Sequence, residues 1–189
     1  MIRSLPEFNM YIAISGFKNA KIGEVNNFFV SVRRELSNTV AVQFFDAQLI
    51  ATWQHLYFAA LNALTALENK TNISNNPAME TLLYASAQRQ ITKATETMGV
   101  KSTTKDVAVI VIAKSQRTTE KALKIVQKLI SAEPHDSVIE IDQLKFDKIR
   151  KFFQISDQEL EAKLQKKGLE KEALVDLVIE HGALLVTQR

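Results

Sequence analysis

Short runs of apolar and β-branched residues alternate along the chain with longer segments of helical periodicity. Strands are predicted at 10–14, 40–45, 107–113 and 137–141, where apolar residues are consecutive or nearly so. The run 107–113 is apolar throughout, which is typical of a central strand covered on both faces. The order of the elements predicts an α/β fold: a single domain over 1–189 with a small mixed β-sheet flanked by helices.

Apolar residues recur at intervals of three and four between these runs, which predicts helices. The clearest helix extends from Asp46, whose side chain can cap it, to about Glu68. Another is expected from Pro77 to Met98, with Gly99 in the left-handed conformation that ends many helices. Further helices are predicted at 22–36, from Thr118, after Asp142, after a capping box at 156–159, and over a helical C-terminal tail at 170–187.

Composition excludes several classes of function. The chain has no cysteine, and its five glycines include no pair spaced for a phosphate-binding loop. Its three histidines lack metal-ligand spacing, and His55 is expected opposite the apolar side of its helix. No signal peptide or membrane span is predicted, because the longest strongly apolar run has seven residues where a span needs about 20. We therefore expect a cytoplasmic protein with no catalytic residues, metal, cofactor or small-molecule substrate of its own.

The helix predicted over 77–98 carries the most suggestive polar pattern. Ser86, Arg89, Lys93 and Thr97 follow one border of its apolar side, and Gln90 falls inside the apolar sector. Residues 70–105 hold five cations and two carboxylates, a surplus equal to the +3 of the whole chain. The pattern alone favours ordinary edge charges around a glutamine bonded to neighbouring backbone, and a functional polar strip is the alternative.

Two segments of this region carry a family resemblance: TNIS at 71–74 and METLLYASAQRQI at 79–91. With weaker matches at 55–63, 107–112 and 152–160, they resemble the kinase-binding subunit of the KEOPS complex, the PRPK-binding protein family. The chain departs from that family at Ala87, where glycine is frequent. Its size and lack of cysteine are compatible with an archaeal source.

The resemblance implies a non-catalytic subunit of the assembly that adds threonylcarbamoyl to adenosine 37 of tRNA. It implies binding to the small kinase subunit of KEOPS and, in archaeal forms, to the 3′ acceptor (CCA) end of tRNA. The residues expected to bind tRNA are Lys70, Thr71, Asn72, Ser86, Arg89, Gln90 and Lys93. Lys70 and Asn72 can join this group only if the turn that contains them folds back.

The tail helix is the expected kinase contact, because its apolar residues cover more than half of its circumference. The residues assigned to this contact are Leu174, Leu177, Val178, Leu184 and Leu185. An alternative is that all five belong to the chain's own core. Two other functions also stay open: a small-molecule enzyme, and a protein-only adaptor or allosteric activator of the kinase that does not bind RNA.

Overall fold

The computed structural model describes residues 1–164 and 166–187, and four strands within them form one sheet. They are β1 (Ile2–Leu5), β2 (Met10–Phe17), β3 (Ala41–Asp46) and β4 (Val107–Ala113), in the order β1-β2-β4-β3. The predicted α/β class, with a small sheet flanked by helices, is confirmed. The sheet is antiparallel rather than mixed: β2 and β3 run in the same direction, but β4 lies between them and opposes both.

The predicted central strand is confirmed as β4, which is buried along its whole length. Its side chains alternate between the two faces of the sheet. Val107, Val109 and Val111 pack into one apolar cluster, and Ala108, Ile110 and Ile112 pack into the other. The sheet is therefore the middle layer of three.

Eight helices of the described residues provide the outer layers. They are α1 (Val25–Glu35), α2 (Trp53–Glu68), α3 (Pro77–Ser86), α4 (Ile91–Met98), α5 (Gln116–Ile130), α6 (Gln143–Phe152), α7 (Asp157–Lys163) and α8 (Glu170–Ala183). α1 and α5 cover the face of the sheet that carries Val109, and the other six helices build the cluster on the opposite face. None of the described helices is long and apolar enough to cross a membrane.

The predicted strand at 137–141 is wrong, because Asp136–Ile139 forms a 3-10 helix. The Asp136 carboxylate accepts hydrogen bonds from the Gly16 backbone N–H (2.8 Å) and the Ser15 hydroxyl (3.1 Å). This loop docks directly on β2, which continues through Gly16 to Phe17, beyond the strand predicted at 10–14. A side chain at Gly16 would lie 2.6 Å from a Val138 methyl group, so only glycine permits the contact.

Asp46 caps a short 3-10 turn, Ala47–Leu49, rather than the long helix. α2 begins later, at Trp53, where the Thr52 hydroxyl accepts a hydrogen bond from the Gln54 N–H. The helix predicted after Asp142 and the capping box before α7 are both confirmed.

α8 approaches α3 closely through Gly182. A methyl group added at Gly182 would lie 2.7 Å from the Tyr84 carbonyl oxygen, closer than any ordinary carbon contact. Leu174 and Val178 of α8 are fully buried in the same cluster as Leu82 and Leu83 of α3. Because glycine has no side chain, Gly182 allows α8 to pack this closely on α3.

Gly182→Ala should destabilise the protein. Alanine gains about 1 kcal/mol of intrinsic helix propensity, but overpacking against a backbone oxygen costs typically about 1–3 kcal/mol, so we expect a net loss and a lower Tm. Thermal melts of the variant and of Asp176→Ala, an exposed substitution in the same helix, provide the comparison. An unchanged or higher Tm for Gly182→Ala would mean that α8 can shift away from the Tyr84 carbonyl without loss of stability.

Candidate functional site

The helix predicted over 77–98 is two helices joined by a bend. α3 ends at Ser86 because Ala87 adopts the left-handed conformation (φ 49°, ψ 37°), and the Gln88 N–H then bonds to the Leu83 carbonyl. Residues 87–90, here called the elbow, connect it to α4. Ala87 stands where the resembled family often has glycine, which takes this conformation without strain. The expected left-handed cap at Gly99 is wrong, since its backbone is extended (φ −69°).

The elbow rearranges the polar strip that was predicted for a continuous helix. Ser86, which was expected on an RNA-binding surface, is fully buried instead, and its hydroxyl donates to the Leu82 carbonyl at 2.8 Å. Gln90 is exposed just before α4 instead of facing the core. Arg89 and Lys93 are exposed, as a binding role requires.

The turn before α3 is held against that helix by a buried carboxylate. Glu80 is 1% exposed, and its oxygens accept hydrogen bonds from the backbone N–H groups of Ile73 (3.1 Å) and Ser74 (2.7 Å). Lys70 has a positive φ of 57°, which reverses the chain at the end of α2. The turn therefore folds back on α3, which is the condition for grouping its residues with the elbow.

A cavity of about 230 Å³ lies between the turn, α3, the elbow and the 3-10 helix Leu184–Thr187. One Arg89 guanidinium nitrogen donates to the Leu185 carbonyl at 3.2 Å and so ties the elbow to the tail. Burial raises the pKa of the Tyr84 hydroxyl, and the nearby Glu80 adds to this effect, so the phenol stays protonated at neutral pH. The lining residues are Thr71, Ile73, Glu80, Tyr84, Arg89, Leu185 and Val186.

The structure thus brings together two of the residues predicted to bind tRNA, Thr71 and Arg89, in one cavity. Lys70, Gln90 and Lys93 are exposed outside its lining, and the Asn72 amide bonds to the Asn75 side chain at 2.9 Å. Sequence reasoning missed Glu80 and Tyr84, which lie one helical turn apart on α3. The Arg89 guanidinium and the protonated Tyr84 phenol can donate to a polar ligand, whereas the Glu80 carboxylate is already bonded to the turn.

His55 fixes the end of α3 just before the elbow. Its Nδ1 accepts a hydrogen bond from the Ala51 N–H (3.2 Å), so its Nε2 carries the proton and donates to the Ala85 carbonyl (2.8 Å). Burial lowers the pKa of this imidazole to about 4. Its expected position opposite the apolar side is wrong, because α3 packs over that side of α2.

The tail residues assigned to kinase binding lie mostly inside the chain. Leu174, Leu177, Val178 and Leu185 are at most 7% exposed and belong to the chain's own core, which corrects their assignment to an accessible contact. Leu184 is 54% exposed, in the 3-10 helix Leu184–Thr187 that follows α8.

A groove of about 530 Å³ runs between α2 and α8 on the outer side of the molecule. Its apolar floor includes Phe58, which is 41% exposed, and Ile179. The Arg3 guanidinium lies 4.6 Å from the Trp53 ring centroid at one end, an arrangement that holds the indole in place. The charged residues in its lining are Glu140, Lys171, Glu172 and Asp176.

Two comparisons with known proteins bear on these surfaces. The family described as kinase binding protein CGI-121 matches residues 22–185. The chain is also 33% identical over 135 residues to the regulatory protein Cgi121 of Methanocaldococcus jannaschii, an alignment that covers 71% of this chain and 83% of that protein. The elbow and the α2–α8 groove both lie inside the matched range.

The neutral state of His55 predicts how stability depends on pH. The unfolded imidazole has a pKa near 6.5, so the unfolded chain takes up this proton first as pH falls. Protonation of Nδ1 in the folded state would place an N–H against the Ala51 N–H. The contribution of the neutral His55 to the free energy of unfolding should therefore be fully present above about pH 6.5. It should fall as pH decreases toward 4, by about 3 kcal/mol in total.

Urea titrations across this pH range test the prediction. His55→Gln should lose this part of the pH dependence, whereas His135→Gln, at an exposed position, should retain it. Equal pH dependence in the wild type and in His55→Gln would contradict the assignment of the neutral tautomer.

Proposed function

The chain belongs to the kinase binding protein CGI-121 family, and on that basis we propose that it is the non-catalytic regulatory subunit of a KEOPS-type tRNA-modifying complex. The observation that carries the proposal is the family match, which covers β3, β4 and all eight described helices and reaches to Leu185. In this role the chain binds the small kinase subunit and holds the 3′ acceptor end of tRNA, so both activities are binding and neither needs a catalytic group.

The α2–α8 groove is the proposed kinase contact. Unlike the buried leucines of the tail helix, the groove presents apolar side chains that a partner can reach, chiefly Phe58 and Ile179. Leu184 is exposed just beyond the end of α8. Three carboxylates and one lysine line it. The complementary surface of the kinase should therefore present apolar side chains with a surplus of cations around them.

The elbow is the proposed contact for the tRNA acceptor end. Arg89 and Lys93 supply exposed positive charge, and the cavity beside Arg89 offers the donors and acceptors that a single-stranded nucleotide requires. Lys70, Thr71 and Asn72 belong to the folded-back turn next to it. Ser86 is left out of this surface because it is buried.

Phe58→Glu should abolish co-purification with the kinase while leaving the thermal melt nearly unchanged, because the side chain is exposed and a carboxylate would add to the acidic lining. Val30→Glu is the matched control: Val30 is 59% exposed on α1, across the sheet, and its substitution should leave kinase binding intact. Leu174→Glu should unfold the protein, since this side chain is fully buried. If the folded Phe58→Glu variant still binds the kinase, the α2–α8 groove is not the kinase contact.

Arg89→Ala should weaken binding of intact tRNA and lower the magnitude of the log-log salt slope by about 0.7, the value for one phosphate contact with a single strand. The effect should be absent with tRNA that lacks its CCA end, and kinase binding should persist. Lys93→Ala gives an independent variant, because the Arg89 side chain also bonds to the tail. Filter binding at several salt concentrations provides the measurement.

Arg34→Ala serves as a control for the loss of one exposed arginine, since Arg34 lies on α1 across the sheet. If Arg89→Ala and Lys93→Ala bind intact tRNA as the wild type does, the elbow charges are ordinary surface groups. The chain would then act as a protein-only adaptor or allosteric activator of the kinase.

A further inference from the structure

Five cations form a row along the outer side of α5. Residues Lys114, Arg117, Lys121, Lys124 and Lys128, here called the basic stripe, follow one another at intervals of three and four. Lys114 precedes the N-cap Ser115, and the other four lie within α5, where 100° per residue places them in one narrow sector of the helix. All five are exposed.

The opposite side of α5 is already used by the fold. Thr119, Ala122, Val126 and Ile130 are buried, and the last three pack into the cluster on the Val109 face of the sheet. The stripe therefore points directly away from the sheet. The elbow and α4 belong to the other face, so the two positive surfaces are separated by the sheet itself.

The arrangement of charge works against the stability of the helix. Like charges three or four residues apart repel one another, and Arg117 lies in the first turn, where cations oppose the helix dipole; Lys128, in the last turn, is favoured by it. The single carboxylate of α5, Glu120, bonds instead to the Gln116 amide at 2.8 Å. No stripe cation forms an ion pair with any residue for which the structure gives a position. The requirements of folding alone do not account for such a row.

The positive surface continues past the end of α5. The Lys21 N–H bonds to the Ile130 carbonyl (3.0 Å), and the Ala20 N–H bonds to the Lys105 carbonyl (2.7 Å). Lys21 and Lys105 are both exposed. From Arg117 to Lys128 the stripe is about 17 Å long at 1.5 Å per residue, and these backbone contacts place two more cations beyond its end.

We propose that the basic stripe binds the phosphate backbone of duplex RNA, at a site separate from the elbow. A row of cations with no apolar or aromatic member can neutralise a row of phosphates without reading bases. A protein partner would require an apolar or aromatic anchor, and a membrane-surface helix requires an exposed apolar face, which in α5 is buried on the sheet. The choice of RNA over DNA rests on the proposed function; the stripe itself does not depend on the elbow.

The test uses a blunt RNA duplex of 20 base pairs, which has no single-stranded end for the elbow to hold. Lys121→Glu/Lys124→Glu reverses two central charges of the stripe. Lys166→Glu/Lys167→Glu makes the same change in net charge at two exposed lysines before α8. Duplex affinity is measured by fluorescence anisotropy at several salt concentrations, with thermal melts and kinase co-purification for each variant.

The wild type and the Lys166/Lys167 variant should bind the duplex with a marked salt dependence. The Lys121/Lys124 variant should lose tenfold or more in affinity, and its log-log salt slope should shrink by almost 2, about 0.9 for each phosphate contact. Its melt and its kinase binding should be unchanged.

The proposal is overturned if the wild type does not bind the duplex, or if both charge-reversal variants lose affinity equally. It is also overturned if the Lys121/Lys124 variant keeps duplex binding but loses the kinase, in which case the stripe contacts an acidic protein surface. Because the duplex has no CCA end, these results are independent of the outcome at Arg89.

Discussion

The burial of β4 on both faces is the constraint on which the rest of the structure depends. A strand whose side chains are all apolar must be covered on both sides, since each exposed valine or isoleucine would forgo about 1.5–3 kcal/mol of burial free energy. In a chain of 189 residues this requires helices on each face of a four-stranded sheet. The interior between sheet and helices is then taken up by core side chains, and the two surfaces proposed here lie on the outer sides of helices and where helices end.

Three polar side chains within this apolar frame set the position of the surfaces. Glu80 holds the turn before α3, His55 holds the end of α3, and Asp136 holds the loop that docks on β2. Each bonds to backbone groups outside its own helix or loop, and Asp136 also accepts a hydrogen bond from the Ser15 hydroxyl. Such bonds are satisfied in only one geometry, and a buried polar group without its partner would be costly. The bonds of His55 and Glu80 fix the end of α3 and the turn before it, and so define the elbow and the cavity beside it.

α8 connects the two surfaces proposed for the regulatory subunit. Its outer side forms one wall of the α2–α8 groove, and the segment that follows it accepts the Arg89 hydrogen bond at the elbow. The close contact of Gly182 with Tyr84 joins α8 to the helix that precedes the elbow. The surfaces proposed for the kinase and for tRNA are therefore parts of one packed unit. The basic stripe lies outside that unit, on the other face of the sheet.

The sequence by itself determined the α/β class, the central strand at 107–113, the helix after Asp142 and the capping box at 156–159. These features are local: they depend on periodicity, or on side chains that bond within one turn. β1 was not predicted, because four residues of a short edge strand carry too little pattern. The candidate site was only partly predictable: helical periodicity singled out Arg89, the family resemblance added Thr71 and the expected tRNA-binding role, and Glu80 and Tyr84 were missed.

Only the tertiary structure decided which apolar or polar groups are covered. An apolar tail helix has the same pattern whether its leucines meet a partner or the chain's own core, and packing against α2 and α3 made Leu174 and Val178 core. Periodicity continued through Ala87, but the left-handed turn there buried Ser86 and exposed Gln90. A sequence pattern records the character of each position and not its neighbours, so contacts between distant segments set the burial of these residues.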